Sequence, residues 1–206
     1  MKKVAVDLHF LPCLEFFTAI INADEILVSP SEIYQRQSYL NRARIRLANK
    51  IETLSIPIQG RRPRLPLNQV LIDYSQNWQK IHLRGIQSAY GKAPFFEFFF
   101  PYIQPIYERK HPSLWDLNFE MLTICLKLLR LNGKLTVYQN LDKDNVDFDL
   151  RGHISPSSSH SERNLYSPTA YTQLFGLDFE PNLSVIDILF CTGTEAKKLL
   201  LSSVKK

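Results

Sequence analysis

Glycine is scarce, with seven residues in 206. That excludes the backbone cradles of the common nucleotide folds: the chain has neither a Gly-x-x-x-x-Gly-Lys loop nor a Gly-x-Gly-x-x-Gly turn. A Gly-x-Ser-x-Gly nucleophile elbow and a His-Glu-x-x-His zinc motif are missing as well. Cysteine is rarer still. Cys13, Cys125 and Cys191 are scattered and odd in number, so they form no disulfide framework and read as reduced, buried thiols. Such thiols suit a reducing cytoplasm. No run of about eighteen apolar residues exists to span a membrane. The basic start is followed by an apolar stretch that Asp7 and His9 interrupt, too short and too polar for a secretory signal. Aqueous and cytoplasmic is therefore the expectation. Metal ligands are equally sparse. His9 and Cys13 stand four apart, but Pro12 breaks a helical register between them and no second pair accompanies them.

Acid is missing from one stretch in particular. Between Ile33 and Arg64 stand seven Arg and one Lys against the single acid Glu52, a net charge of +7. The whole chain is +5, so the remainder sums to −2. A concentrated guanidinium patch on a near-neutral body fits an anionic ligand, because Arg forks pair bidentately with phosphate or carboxylate. With 206 residues, 45% of them hydrophobic and 22% charged, the chain fits one domain over 1–206 that buries its core without disulfides.

Hydrophobic periodicity gives the elements. Val4 to Leu8 reads as a buried strand, Leu14 to Ala23 as a helix and Glu25 to Val28 as a second strand, the minimum for a parallel βαβ unit. Arg42, Arg44 and Arg46 alternate with Ala43, Ile45 and Leu47, which predicts a half-buried strand with a basic outer row. Asn49-Lys50 turns it into a hairpin with Ile51 to Ile58. Val70 to Ile72 reads as a short strand. Helices follow from an Asn77 cap to Tyr90, closed by Gly91, from Phe95 towards Arg109 with Pro101 and Pro105 inside, and from a Ser113 cap to Leu131, closed by Gly133. The first of these carries Trp78, Ile81, His82, Gly85, Ile86 and Ala89 on its inner stripe. Leu135 to Tyr138 is a strand, 141–164 is a polar loop expected to be mobile, and Ser184 with Asp187 forms a capping box for a last helix. The expected fold is α/β: a small mixed sheet with a βαβ start and a basic hairpin, packed by three or four helices. An α+β arrangement is the alternative.

An ordered set of short pieces runs through almost the whole chain. It comprises Tyr34-Gln35-Arg36-Gln37-Ser38-Tyr39 with Asn41-Arg42, Leu54-Ser55-Ile56-Pro57-Ile58, Ile72-Asp73-Tyr74, Trp78, His82 and Ser88-Ala89-Tyr90. Pro94-Phe95-Phe96-Glu97, Leu117-Asn118, Tyr171-Thr172-Gln173-Leu174-Phe175 and the run from Pro181 to Phe190 complete it. In these residues the sequence resembles the WbqC-like proteins, in particular a branch of Bacteroidetes-type bacteria. The resemblance implies a bacterial protein of polysaccharide or O-antigen synthesis and a glycyl or similar acyl transfer. It departs from the family pattern at Asp7-Leu8-His9-Phe10-Leu11-Pro12, where the family opens with Gln-Pro, and at Arg36, where the family has Lys.

On these residues Arg36, Arg42, Arg44 and Arg46 are expected to grip the phosphates of a nucleotide-sugar or another phosphate-bearing small molecule. The plain alternative is a solvated basic face. Asn41 is singled out beside Arg42, and Tyr34, Trp78 and Tyr90 are expected to wall the ligand. His82 is the candidate general base, although a histidine on an apolar stripe also serves as a hydrogen-bonded core residue. Asn118 has the same two readings, orienting a ligand or satisfying buried backbone. Asp24 and Glu32 are candidate carboxylates near the end of the second strand. Asp147-Phe148-Asp149 matches the Asp-x-Asp with which some glycosyltransferases hold a metal and a diphosphate. Arg61, Arg62 and Arg64 read as solubility charges. The sequence specifies neither cofactor nor oligomeric state. A second function class is a non-catalytic binder, either of single-stranded nucleic acid through basic residues and aromatic stacking or as a scaffold for other enzymes.

Overall fold

The computed structural model describes residues 1–60, 64–139, 146–176 and 178–205. Its architecture is α/β. Lys3–Ala5 (β1) pairs in parallel with Glu25–Val28 (β2), and Leu14–Ile20 (α1) connects them. Helix α1 is buried nearly all round, so it is a core element: Phe16, Phe17 and Ile20 are at most 1% exposed. Each such side chain contributes about 1.5–3 kcal/mol of burial free energy. Glu15 is equally buried, and the Arg163 guanidinium meets it through two 2.7 Å hydrogen bonds. A carboxylate at that depth requires such a partner.

After β2 the chain leaves the sheet. Arg42–Arg46 (β3) and Ile51–Ser55 (β4) form an antiparallel hairpin that is a sheet of its own, separate from the parallel one. The alternation holds, with Ala43 and Ile45 buried and the Arg row half-buried. The strands are shorter than the periodicity predicts. Strand β4 stops at Ser55 because Pro57 has no N–H to extend the ladder. The expected strand at 70–72 does not form: a 3-10 turn, Leu67–Gln69, leads into it, and of its residues Ile72 makes an isolated bridge to Ile58.

Three helices follow: Trp78–Tyr90 (α2), Phe96–Glu108 (α3, with Pro101 and Pro105 inside) and Leu114–Leu128 (α4). Ile81 is 62% exposed and leaves the predicted inner stripe, which is Trp78, His82, Ile86, Ala89 and Tyr90. The Ser113 cap is present as a full capping box with Asp116. Gly133 does not close α4, which ends at Leu128 with Arg130 left-handed at φ 54°. Its role is close approach, since a Cβ there would stand 2.8 Å from the Ala23 carbonyl oxygen.

Lys134–Val137 (β5) then pairs in parallel with β2, and Phe148–Asp149 (β6) in parallel with β1. The parallel sheet has the order β5-β2-β1-β6. Residues 141–145 of the predicted polar loop lie outside the described residues; the rest of it includes β6 and a 3-10 turn, His160–Glu162. Val185–Thr192 (α5) and Ala196–Ser202 (α6) close the chain. The predicted capping box on α5 is absent. Ser184 Oγ donates to the Leu11 carbonyl instead, and Asp187 is buried among Tyr90, Tyr171 and Gln173. One hydrophobic cluster draws on both sheets and all six of these helices. Cys13 and Cys125 are buried free thiols. Among the described residues no helix is long and apolar enough to cross a membrane.

Candidate functional site

The loop from Ile33 to Asn41 joins the parallel sheet to the basic hairpin. Its conformation is set locally. Ser38 Oγ donates to the Gln35 carbonyl at 2.6 Å, Leu40 N–H donates back to Ser38 Oγ, and Gln37 between them is left-handed at φ 57°. The Asn41 amide fixes the end of the loop by donating to the Ile56 carbonyl at 2.9 Å. Deeper still, Asn118 on α4 is fully buried, and its Nδ2 donates to the carbonyls of Leu8 and Leu40 at 2.9 and 2.7 Å. Asn118 lines neither of the two cavities in which other candidates are found among the described residues. It rivets the chain after β1 to this loop.

One face of the loop forms a cavity of about 300 Å³. Tyr34, Arg36, Asn41 and Arg42 line it together, with Ser55, Pro57 and Gln76 opposite. Four of the predicted ligand residues therefore converge. Burial raises the Tyr34 hydroxyl above its usual range, while the charges of Arg42 and Arg36 pull it down. Arg42 Nε and Asn41 Oδ1 are buried and have no hydrogen-bond partner among the described residues.

The Arg row divides. Arg44 turns away to pair with Glu180 at 2.9 Å. Arg46 donates to the Asp178 carbonyl at 2.8 Å and lies against Gly176, where a Cβ would overlap the guanidinium. Only Arg42 of the three faces the cavity with Arg36.

A neighbouring cavity of about 430 Å³ shares Ser55, Pro57 and Gln76 with the first, and Trp78 and His82 stand on its far wall. His82 Nε2 lies 3.1 Å from the Ser55 carbonyl oxygen, so this nitrogen carries the proton and Nδ1 holds the lone pair. Burial pulls the imidazole down to about 4, against the opposing effect of the Ser55 carbonyl. The ring is thus neutral at pH 7, packed edge-on against Trp78 and Tyr107. Tyr90 does not reach either cavity. It is 1% exposed and donates to Asp187 at 2.9 Å.

Sequence reasoning missed a second set of residues. The other face of the Ile33–Asn41 loop borders a cavity lined by Asp7, His9, Glu32 and Arg151. Of these four, Glu32 alone is expected from the sequence as a carboxylate near a strand end. Asp7, just beyond β1, carried the same signal. Arg151 sits in the segment read as a polar loop, where no local pattern marks it. The Asp-x-Asp carboxylates have other roles: Asp147 accepts the Lys3 N–H and Asp149 binds Arg151. Asp24 accepts the Lys2 N–H as a turn residue. Arg61 and Arg62 lie outside the described residues.

A model described as the WbqC-like protein family matches residues 8–156. The chain is 25% identical to an uncharacterised protein of Mycobacterium tuberculosis, over 97% of this chain and 98% of that one. No solved structure matches the chain.

Proposed function

The chain belongs to the WbqC-like protein family, and on that premise we propose that it is a cytoplasmic transferase of bacterial surface-polysaccharide or O-antigen biosynthesis. Its substrate is a nucleotide-sugar or another phosphate-bearing small molecule. The observation that carries this reading is the convergence of Tyr34, Arg36, Asn41 and Arg42 on one cavity, with an Arg42 Nε that is buried and has no hydrogen-bond partner among the described residues. A buried guanidinium donor favours an anion, and bidentate phosphate contact satisfies it. Arg36 and Arg42 grip the phosphates; Tyr34 walls the adjoining sugar or base.

The reaction we propose is acyl or aminoacyl (glycyl) transfer to the sugar. The sugar amine or hydroxyl forms a bond to the acyl carbon, the bond from that carbon to the donor's carrier breaks, and the carrier leaves with the electron pair. The nucleophile's proton passes to His82 Nδ1, a lone pair that is buried behind the cavity wall and has no hydrogen-bond partner among the described residues, on a ring that is neutral at pH 7. Trp78 shares its cavity wall with His82.

The nucleic-acid reading loses its supports. Arg44 and Arg46 are engaged by the C-terminal segment, and Tyr39 and Trp78 are 6% and 4% exposed, which leaves little of the extended basic and aromatic track that such binding uses.

Calorimetric titration with a panel of UDP-sugars tests the binding, and incubation with the same sugars and a glycyl thioester tests the transfer. Binding that weakens on raising salt and drops in Arg42→Ala supports the pocket; no binding by any phosphate-bearing sugar overturns it. Turnover unchanged in His82→Ala removes His82 as the base.

A further inference from the structure

The parallel sheet has a topological break that the basic pocket does not use. In chain order its strands stand third, second, first, fourth, so the chain runs from β1 outward through β2 to β5 and then crosses to the other side of β1 for β6. In open α/β sheets the crevice beyond the carboxyl ends of the strands at such a reversal is where ligands bind. The cavity of Asp7, His9, Glu32 and Arg151 lies there: Asp7 and His9 follow β1, Glu32 follows β2 and Arg151 follows β6.

The chemistry of this crevice is opposite to that of the basic pocket. Arg151 is its cation, and each arm of the guanidinium is occupied: Nε and Nη2 by Asp149 at 2.8 and 2.7 Å, Nη1 by Glu32 at 2.9 Å. Tyr138 Oη donates to the same Glu32 oxygen. Asp7 then stands beyond this matched set, held at Oδ2 by the Gly152 N–H at 2.6 Å. Three carboxyl groups therefore face one guanidinium. Burial raises the Asp7 carboxyl above its usual range, the expected response of an acid short of a cation.

A second observation points to a ligand. His9 is 3% exposed, lines the cavity and has an Nδ1 with no hydrogen-bond partner among the described residues. Burial, joined by the charge of Arg163, pulls this ring down to about 3, so it is neutral and cannot serve as the missing cation. That nitrogen is itself buried, so a ligand hydroxyl would satisfy it only at the inner wall of the cavity, where it suits either tautomer because it both donates and accepts. The cavity measures about 250 Å³, and at about 30 Å³ per water that is room for roughly eight waters, or one monosaccharide.

We propose that the crevice at the carboxyl ends of β1, β2 and β6 is a binding site for a small hydroxylated amine of monosaccharide size. The ammonium sits against Asp7 and the Glu32 oxygen that Arg151 and Tyr138 leave uncontacted among the described residues, and the hydroxyls pair with His9, Gln35 and Ser38. The site shares no lining residue with the basic pocket and does not rest on the transferase reading.

Glucosamine is the probe, titrated into the 15N-labelled full chain. The amide of Gly152, which donates to Asp7, is the reporter, and the amide of Gly60, which lines the basic pocket, is the reference. The site predicts a saturable shift at Gly152, none at Gly60, and at least tenfold weaker binding of glucose, which lacks the amine. Asp7→Asn keeps the acceptor for Gly152 and removes the charge, and it is expected to weaken glucosamine binding at least tenfold. A shift centred on Gly60, an equal response to glucose, or no shift in the wild-type chain at tens of millimolar overturns the proposal. Loss of transferase activity alone leaves these readouts unchanged, so the two proposals fail separately.

Discussion

The two faces of the Ile33–Asn41 loop are chemical opposites. Ile33, Gln35, Ser38 and Leu40 face the acidic crevice; Tyr34, Arg36, Gln37 and Asn41 face the basic pocket. The sides alternate along the loop and change phase at Gln37, the left-handed residue of its turn. Each face also has a buried, neutral imidazole nearby, His9 in the crevice and His82 in the cavity adjoining the pocket. The difference lies in where the charge comes from. The basic face uses residues adjacent in sequence, and the acidic face is assembled from three chain segments. A nine-residue loop can thus separate two environments of opposite sign without any element of secondary structure.

The largest change that breaks this comparison is Asn118→Ala. It strips the Leu8 and Leu40 carbonyls of their donor at once, and those carbonyls belong to the two chain segments that the loop brings together. Urea unfolding is expected to show a loss of about 2–4 kcal/mol, and both ligand responses are expected to fall together. A stability loss below about 1 kcal/mol would show that the rivet is dispensable.

The buried imidazoles make the next prediction. The folded-state value of His82 is depressed from 6.5 to about 4 and that of His9 to about 3. Between those values and 6.5 the unfolded chain binds more protons than the folded one. Stability is therefore complete above about pH 6.5 and declines as pH falls towards 4. For His82 alone the loss between pH 7.5 and pH 5 is roughly 2 kcal/mol. His82→Gln is expected to remove that part of the slope and leave the part due to His9. An unchanged slope would mean that His82 protonates freely in the folded chain.

Arg42→Ala sharpens the contrast at the level of binding. Losing charge-assisted hydrogen bonds to phosphate is expected to cost about 1.5–3 kcal/mol, or roughly 10- to 150-fold in affinity for a nucleotide-sugar. If the Gly152 response to glucosamine vanished equally, the two pockets would be one. The smallest effect is expected at Arg44. Its ion pair with Glu180 is about a third exposed at both ends, so Arg44→Met is expected to change stability by less than about 1 kcal/mol. A ligand-binding loss as large as that of Arg42→Ala would return Arg44 to the site.

Much of this fold was legible because its signals are local. The alternation of Arg42 to Arg46 announced the hairpin, and Ser113 announced α4. The misreadings have one physical origin, a distant partner overriding a local preference. Asp187 has the spacing of a capping-box acid, yet two tyrosines and a glutamine from elsewhere take its oxygens. Gly133 has the place of a helix stop, yet it is there because the Ala23 carbonyl ahead of β2 and the Ile26 side chain on it lie too close for a side chain. Tyr90 belongs to an aromatic set that suited a ligand wall, yet its hydroxyl is turned inward to Asp187.

The sequence by itself determined the α/β class, the basic hairpin and the concentration of guanidinium groups before and along it. Periodicity and composition act over a few residues, and these features need no more. Tertiary structure alone decided which guanidinium faces a ligand. Arg44 met Glu180, 136 residues further along, while Arg42 kept a buried donor without a partner among the described residues. The same packing raised a second, acidic crevice from Asp7, Glu32 and Arg151, because parallel strands bring their carboxyl ends to one edge however far apart they stand in the chain.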